Sequence, residues 1–487
     1  MQSFYSQRFS TPGPSHFWNR RAGIAAGFCV LAALSFGLYY PALRAQLVAD
    51  DFSLVGQVNF ADAAAYFHKT SGFGRNEYRP LTVMSYAIDR RLWQANPEGY
   101  HLTNLLLHAI TAGLWFLTIY ALGRDFALAL LGGALFVIHP VNDSRVIWIS
   151  ARDGPICTMF LAGALWVFIL SRQKSSRMLR AIAIVLSACA LLAYEGAIIL
   201  PALLFAIEFL FFANGPLRPR LASCLRTTAA FWGLAAAYLC FWLILFHGSI
   251  GGYDLSLGPL AIAKNYARLF SGLLYGAKQW VFAILYVALL VSSYRVLIAR
   301  WRITAFGAWL VPIAFLPYCF TNGFAFRFAY VSALGAAMLF ALCILGGLRS
   351  RSRLQQAAAA GIGIVLCGWY LIQDRKIVAD WITAGQIATR IPETVRTLHP
   401  NLPAGAVLVF TGIPLSYGKA QLFQTGFDAA IQREYTVPIV VRQYRLPPPD
   451  LPAEARSGAF VFEYRGGRQP LREITPPLRR LAGDTEP

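Results

Sequence analysis

The sequence predicts an α-helical polytopic membrane protein with a small α/β domain at its C-terminal end. Hydrophobic residues make up 57% of the 487 residues and charged residues only 14%, a balance that cannot cover the surface of a water-soluble globule. Apolar runs recur along the first three quarters of the chain, and most are about long enough to cross a ~30 Å hydrocarbon layer. Soluble enzymes, fibrous proteins and disordered chains are therefore excluded.

The apolar runs predict about eleven membrane spans. They lie near residues 22–41, 102–122, 127–139, 156–171, 181–194, 197–213, 227–246, 271–293, 303–320, 330–347 and 356–373. The run over 127–139 is short for a span and is the weakest of the set. Arg20 and Arg21 lead into a full-length first run, unlike the short apolar core of a cleaved signal, so we expect the first helix to be retained.

The basic residues predict how the chain is oriented in the membrane. A formal net charge of +20 would favour a nucleic-acid partner in a soluble protein, but here many Lys and Arg side chains lie in short loops between spans. When the N-terminus is placed in the cytoplasm, every loop on that side is basic, as the positive-inside rule requires. The basic residues assigned to the cytoplasm are Arg20, Arg21, Arg124, Arg172, Lys174, Arg177, Arg180, Arg218, Arg220, Arg226, Arg295, Arg300, Arg302, Arg349, Arg351 and Arg353. We therefore predict the lipid bilayer as a partner, and no nucleic acid.

The chain divides into a transmembrane region over 1–373 and a domain over 374–487. After the last span the composition changes to ordinary mixed polarity, and the segment is long enough to bury its own core. An odd number of spans places this domain outside the cytoplasm, as an extracytoplasmic α/β unit. Its pattern predicts a helix over 374–398, a strand over 406–411, a helix around 421–433 and strands near 439–444 and 459–464.

Two adjacent carboxylates, Asp50 and Asp51, follow the first span by about nine residues on the predicted external side. Placing carboxylates at a membrane boundary costs free energy unless they are solvated or serve a function. One interpretation is a pair of loop acids in water. The other is catalysis, because an enzyme that transfers a sugar to a hydroxyl group needs a base to accept the proton. The second carboxylate would then orient the acceptor or bind a divalent metal, and the metal requirement stays open.

Further polar residues lie on the same predicted side. His101 and His108 share one helix face, where a helix-end histidine and a buried histidine are favoured over a metal pair. His139 ends a span, and the loop after it forms either a pocket rim or a solvated loop with internal ion pairs. The four charges of that loop are Asp143, Arg145, Arg152 and Asp153.

Glu195 and Arg327 are candidates because each lies next to apolar runs. The Glu195 carboxylate must form an ion pair, bind a proton and become neutral, or face a water-filled cavity. The Arg327 guanidinium suits a lipid phosphate, with snorkelling into the headgroups as the other interpretation; Lys278 and Arg268 are weaker candidates of the same kind. The eight cysteines have no paired spacing, and no Walker, GxSxG or HExxH motif occurs, so nucleotide, serine and zinc hydrolysis have no support.

Several motifs resemble the membrane region of the O-mannosyltransferases that carry tetratricopeptide repeats, which belong to the GT-C superfamily. The most specific stretch is NPEGYHLTNLLLHA at 96–109, preceded by YRPLT at 78–82. Further matches are the acidic pair at 50–51, HPV at 139–141, WISAR at 148–152, YEG at 194–196 and a weaker match at 327–332. The matches run in order over roughly 50–335.

The resemblance implies a GT-C-like transferase that takes a sugar from a polyprenyl-phosphate sugar donor, with Asp50 or Asp51 as the base. Two departures leave the role of the second loop open: Ser144 stands where the family has Glu, and Gly154 stands where it has an acidic residue. Residues 374–487 take the place of the tetratricopeptide array, so a protein acceptor is not implied. The acceptor is an unknown glycan, lipid or protein.

We therefore predict a glycosyltransferase of a bacterial inner membrane, with its active site and C-terminal domain on the periplasmic side. Asp50 acts as base in an inverting displacement, and Arg327 together with Arg152 stabilises the departing phosphate. Asp51 and Glu195 stay open as nucleophiles of a retaining reaction. The predicted substrate-binding residues are Arg327, Arg152, Glu195, His139, Asp143, Asp153 and His101.

Two hypotheses from other classes stay open. A transporter or flippase of a lipid-linked saccharide would also need external charges and a lipid groove, and internal repeats, of which we find none, would favour it. A catalytically silent scaffold would be favoured by loss of the acidic pair, which is intact here.

Overall fold

The computed structural model describes residues 14–68, 77–246, 256–274, 294, 296–321, 325–444, 459–466 and 471–474. This part of the chain is mostly helical. Its helices are α1 Pro14–Tyr39, α2 Asp51–Leu54, α3 Phe60–Ala65, α4 Pro80–Trp93, α5 Pro97–Gly123, α6 Phe126–Val137, α7 Asp143–Ile147, α8 Asp153–Gln173, α9 Arg177–Ala193, α10 Leu200–Ile207, α11 Leu217–Leu245, α12 Pro259–Leu274, α13 Trp301–Phe315, α14 Tyr330–Leu348, α15 Arg353–Leu398 and α16 Phe427–Gln432. Its strands are β1 Val407–Thr411, β2 Ser416–Tyr417, β3 Ala420–Gln421, β4 Val440–Tyr444, β5 Phe460–Tyr464 and β6 Leu471–Glu473.

The described helices confirm a polytopic membrane protein. Seven of them are long and apolar enough to span a membrane, or eight if α6 and the segment Pro140–Ile147, which bend by 50°, form one span. Two further predicted spans coincide with helices of 17 residues (α9) and 15 residues (α13). Most of the predicted span over 271–293 lies outside the described residues. The count of eleven therefore stays a prediction.

The core of the bundle forms where α5 packs against α1, α6 and α8. Trp115 and Phe116 of α5 are fully buried there, together with Phe136 and Phe168. Gly113 permits the close approach of α1, because a Cβ atom at this position would lie 2.1 Å from the ring of Phe28. Small residues at such contacts allow transmembrane helices to pack closely.

The last helix of the bundle continues into the C-terminal domain without interruption. α15 contains 46 residues and is about 69 Å long, more than twice the ~30 Å hydrocarbon layer. The predicted division at 373/374 falls inside this helix. The division into two domains stays a prediction, and the two regions share one continuous secondary-structure element.

The domain after α15 contains the predicted sheet. The four-stranded sheet has the order β4-β1-β5-β6, in which β1 lies parallel to β4 and β5 and β6 runs antiparallel to β5. The strands predicted at 406–411, 439–444 and 459–464 are confirmed. The helix predicted around 421–433 is shorter, because β3 occupies its first residue and Gly426, at φ +75°, turns the chain just before α16.

Candidate active site

Asp50 lines a small pocket that is open to solvent. Three segments that are far apart in the sequence build it: the short turn after α1, the first turns of α4 with the residues before them, and the start of α8. Its lining residues are Asp50, Ser53, Leu54, Glu77, Arg79, Thr82, Val83, Tyr86, Ser150 and Asp153. The pocket therefore brings together two of the predicted site residues, Asp50 and Asp153.

Asp51 lies behind the pocket and fixes the turn that carries Asp50. Its side chain is fully buried; Oδ1 accepts a hydrogen bond from the Ser150 amide (2.8 Å) and Oδ2 accepts one from the Val48 amide (3.3 Å). Burial raises the pKa of Asp51 to about 7, because the carboxylate loses its hydration. The two adjacent acids thus differ in environment, and Asp50 is the one that lines the pocket.

Arg79 is the centre of a charge cluster at the pocket wall. Its Nε and Nη2 atoms donate to the two carboxylate oxygens of Glu195, at 2.9 and 2.6 Å. Its Nη1 atom lies 3.0 Å from Glu77 Oε2 and 3.2 Å from Asp153 Oδ2, and its guanidinium carbon is 4.4 Å from the centre of the Tyr194 ring. Glu195 therefore meets the first of its predicted alternatives, ion pairing.

Arg145 extends the cluster towards Arg327. It lies 2.6 Å from Asp153 Oδ1 and donates to the main-chain oxygen of Arg327 at 3.2 Å. The cluster contains three carboxylates and two guanidinium groups among the described residues. Arg79 was not among the predicted site residues. Its signal in the sequence was its position in the YRPLT stretch, directly before the proline that begins α4.

Arg152 does not face the pocket, so the prediction that it contacts the donor phosphate does not fit the structure. Its side chain is fully buried, 2.6 Å from Asp89 Oδ2. Its Nε donates to Asn104 Oδ1 at 2.6 Å and its Nη2 to the Tyr100 main-chain oxygen at 2.9 Å. Arg152 therefore joins α4 to α5, and a buried pair of this kind needs such hydrogen bonds to both partners.

His101 and His139 are enclosed in the core, which does not fit their predicted role in substrate binding. His101 Nε2 lies 3.1 Å from the Ala45 main-chain oxygen, and His139 Nε2 lies 3.0 Å from that of Leu273. The Val141 amide donates to the second ring nitrogen of His139 at 3.3 Å. These contacts join separate helices and loops, and both side chains are at most 4% exposed.

Asp143 is also enclosed and does not line the pocket, so its predicted role in substrate binding does not fit either. It accepts a hydrogen bond from the Tyr39 hydroxyl at 2.7 Å and is 1% exposed. Within the described ranges, no group of three or more His, Cys, Asp or Glu side chains is arranged to hold a metal ion.

Arg327 is half-buried at the edge of the charge cluster. Its guanidinium carbon lies 5.4 Å from the centre of the Trp148 ring and 5.3 Å from that of Phe328. Both distances are within the range of cation–π attraction, which favours this position of the guanidinium group. Of the weaker alternatives, Arg268 is exposed on α12 and Lys278 lies outside the described residues.

The C-terminal domain holds the turn that carries Asp50. The Ala49 amide donates to the Leu422 main-chain oxygen at 2.8 Å, Arg433 Nη1 donates to the Phe52 main-chain oxygen at 3.2 Å, and the Phe52 ring stacks on Phe423 at 6.0 Å. Ala49 has a φ of +48°, a strained value for alanine. The contacts with the domain thus support a turn that is unfavourable on its own.

The resemblance to the O-mannosyltransferases is confirmed by sequence comparison. The protein O-mannosyl-transferase Tmtc1 of Drosophila melanogaster is 32% identical over 187 residues, 36% of this chain and 21% of the relative. The protein O-mannosyl-transferase F38B6.6 of Caenorhabditis elegans is 27% identical over 162 residues, 30% of this chain and 23% of the relative. The chain thus spans less than a quarter of the length of these curated relatives. No protein-family model matches it.

Solved structures of two other proteins resemble the fold of this chain. The oligosaccharyltransferase of Archaeoglobus fulgidus, with a tethered acceptor peptide, aligns with a TM-score of 0.52 at 13% identity over 88% of this chain and 64% of that chain. ArnT of Cupriavidus metallidurans in its apo state aligns with a TM-score of 0.51 at 12% identity over 90% of this chain and 93% of that chain. The chain is therefore an integral membrane protein with the GT-C fold.

Proposed function

We propose that this protein is a glycosyltransferase that moves a sugar from a polyprenyl-phosphate-linked donor to an acceptor hydroxyl, with Asp50 as the base. The observation that carries the proposal is the position of Asp50, an acid that lines an open pocket on a turn fixed by Asp51. The likeness to O-mannosyltransferases supports sugar transfer. A second structure of the archaeal oligosaccharyltransferase, with a TM-score of 0.50, contains a dolichol-phosphate, which supports a lipid-phosphate donor.

The proposed reaction is a single displacement with inversion. Asp50 accepts the proton of the acceptor hydroxyl while the hydroxyl oxygen bonds to the anomeric carbon of the sugar. The bond from that carbon to the phosphate oxygen breaks, and its electron pair leaves with the lipid phosphate. Arg327 offers two parallel N–H donors to the departing phosphate, and the rings of Trp148 and Phe328 favour the position of its guanidinium group.

Arg79 has a different role in this proposal. Its donors are directed at the carboxylates of Glu195, Glu77 and Asp153, so it stabilises the acidic wall of the pocket and does not serve as the phosphate ligand. The acidic wall suits a sugar, because carboxylates accept hydrogen bonds from sugar hydroxyls.

For the acceptor and the location we propose a periplasmic site in a bacterial inner membrane. The orientation rests on the basic loops. The peptide bound to the archaeal neighbour and the names of the curated relatives support a peptide or protein hydroxyl as the first acceptor to test and mannose as the first sugar. Glycan and lipid acceptors belong in the same panel.

The test is an assay of the purified protein in detergent with a panel of polyprenyl-phosphate sugars, in which release of polyprenyl phosphate is measured. We expect Asp50→Asn to lower turnover by about 10²- to 10⁴-fold, because the amide keeps the shape of the side chain but cannot accept a proton. Asp62→Asn is the matched control, since Asp62 is exposed on α3, and it should keep wild-type turnover.

Other outcomes of this assay separate the hypotheses. An active Asp50→Asn variant beside an inactive Asp51→Asn variant would reverse the two roles. If neither substitution changes turnover, or if the protein moves the lipid-linked saccharide across vesicles without releasing polyprenyl phosphate, the transferase proposal is wrong.

Donor binding tests Arg327. We expect Arg327→Lys to weaken donor binding and Arg327→Ala to weaken it roughly ten- to hundredfold, because charge-assisted hydrogen bonds contribute about 1.5–3 kcal/mol and lysine lacks the planar fork. Arg226→Ala is the control, because Arg226 is an exposed arginine of α11 outside the pocket lining. Unchanged donor affinity in Arg327→Ala would leave Arg327 as a snorkelling anchor.

A further inference from the structure

A second cavity lies on the side of the bundle, between α1 and α15. It is an open groove of about 510 Å³. Its lining is apolar apart from one cation. The lining residues are Ala33, Leu34, Gly37 and Leu38 of α1, Pro41 in the 3₁₀ turn directly after it, and Leu371, Arg375, Val378, Ala379 and Ile382 of α15. None of them lines the pocket of Asp50, so the groove is independent of the proposed function.

The walls of the groove are open to the bilayer. Ala33, Gly37 and Pro41 on one wall and Leu371 and Ala379 on the other are exposed at the surface of the protein. Residues 33–39 of α1 and the first two residues of the 3₁₀ turn after it extend over about 13 Å, close to the depth of one leaflet of a ~30 Å hydrocarbon layer. This depth matches one acyl chain that enters from a single side of the membrane.

The end of the groove near Pro41 lies at the level of the lipid headgroups. Tyr40, directly before Pro41, is 55% exposed, and exposed tyrosines of membrane helices concentrate at the interface. Arg375 lines the groove and is exposed at the surface. Among the described residues no carboxylate lies within ion-pair distance of Arg375, and the adjacent Asp374 is fully buried.

From these observations we propose that the groove between α1 and α15 binds one anionic phospholipid, with an acyl chain along Gly37 and the phosphate on Arg375. The guanidinium group complements the phosphate charge, and the apolar walls shield the chain. Gly37 leaves room for the chain, since a Cβ atom there would meet no protein atom within 4 Å. The lipid would hold the end of α1 that leads to Asp50 against α15.

The test is a titration of the purified full-length chain in a non-ionic detergent with phosphatidylglycerol, followed by native mass spectrometry. We expect one tightly bound lipid per chain, roughly tenfold weaker binding by Arg375→Ala, and loss of that lipid in Gly37→Leu. The controls are Lys376→Ala, which changes the adjacent exposed cation outside the lining, and Gly233→Leu, which changes a glycine of α11 that also has no protein atom within 4 Å of a Cβ. Both should bind as the wild type does.

Three results would overturn the proposal. Equal losses in Lys376→Ala and Arg375→Ala would mean that general surface charge attracts the lipid. Displacement of the lipid by free glycerol phosphate would mean that the apolar walls contribute nothing. Displacement by a lower concentration of polyprenyl phosphate would assign the groove to that lipid instead of a phospholipid.

Discussion

At the scale of single residues, Asp50 and Asp51 show how two identical neighbours acquire different properties. Asp51 accepts hydrogen bonds from two main-chain amides, those of Val48 and Ser150. Asp50 is shifted by one residue and lines the pocket. The sequence identified the pair but could not separate its members, because the Ser150 amide that distinguishes them is 99 residues away.

The raised pKa of Asp51 gives a stability prediction. An acid whose pKa rises from 3.8 when unfolded to about 7 when folded binds its proton more tightly in the folded chain. The free energy of unfolding should therefore fall as the pH rises from about 4 to about 7, by about 1 kcal/mol per pH unit, and level off above that range.

The measurement compares thermal melts of the wild type and Asp51→Asn between pH 4 and pH 8. The asparagine variant cannot titrate at this position. The melting temperature of the wild type, relative to that of Asp51→Asn, should therefore fall as the pH rises from about 4 to about 7. A difference that stays constant from pH 4 to pH 7 would show that Asp51 has an ordinary pKa.

At the scale of elements, the stretch NPEGYH illustrates what sequence can predict. Asn96 accepts a hydrogen bond from the Glu98 amide and Pro97 occupies the first turn of α5, both typical of a helix start. The Tyr100 hydroxyl accepts a hydrogen bond from the Gly56 amide at 3.0 Å, and His101 contacts Ala45. The start of α5 can be predicted from the sequence, whereas its contacts with the turn after α1 depend on the fold.

The packing of Gly426 against that turn gives a second prediction. An added Cβ would lie 2.2 Å from the Ala49 main-chain oxygen, so Gly426→Ala must displace the turn that carries Asp50. Misplacement of a catalytic group by about 1 Å can lower turnover about 10²-fold, and we expect a loss of that order in the transfer assay while the protein still folds.

Gly405→Ala is the matched control for this experiment. Gly405 has a similar φ of +80° but no protein atom within 4 Å of its Cβ position, so it introduces the backbone strain without the contact. A wild-type turnover in Gly426→Ala, or an equal loss in both variants, would contradict the positioning of Asp50 by the C-terminal domain.

At the scale of the whole molecule, the basic loops predicted to share one side do meet. Asp125 lies 2.9 Å from Arg300 Nη2 and 2.5 Å from Arg349 Nη1, and Arg124 donates to Gln173 at 3.0 Å. Loops that are far apart in the sequence thus gather at one end of the bundle. The sequence predicted this grouping because the positive-inside rule acts on each loop separately.

The orientation itself is the third prediction. We expect alkaline phosphatase, which is active only outside the cytoplasm, to be active when fused after residue 380 and inactive when fused after Arg177. The basic loops give the physical reason. Activity in the reverse pattern would place Asp50 and the sheet in the cytoplasm, and activity at neither position would mean an even number of spans before residue 380.

The parts that the sequence could not supply are the long-range partners. The apolar runs of α1, α5 and α14 were predictable because each is continuous and long enough to span. The pairing of Arg79 with Glu195 joins residues 116 positions apart, and the burial of Arg152 depends on Asp89 in another helix. Charge alone does not tell whether a guanidinium group binds substrate or closes the core.

The continuity of α15 has a mechanical consequence. One 46-residue helix crosses the membrane and also packs on the turn before Asp50, where a Cβ at Gly385 would lie 2.8 Å from the Gln46 amide nitrogen. The proline inside this helix, Pro392, follows the contact with Gln46, so the membrane span and that contact belong to one proline-free stretch. A tilt of the span would therefore be transmitted to the turn that carries Asp50.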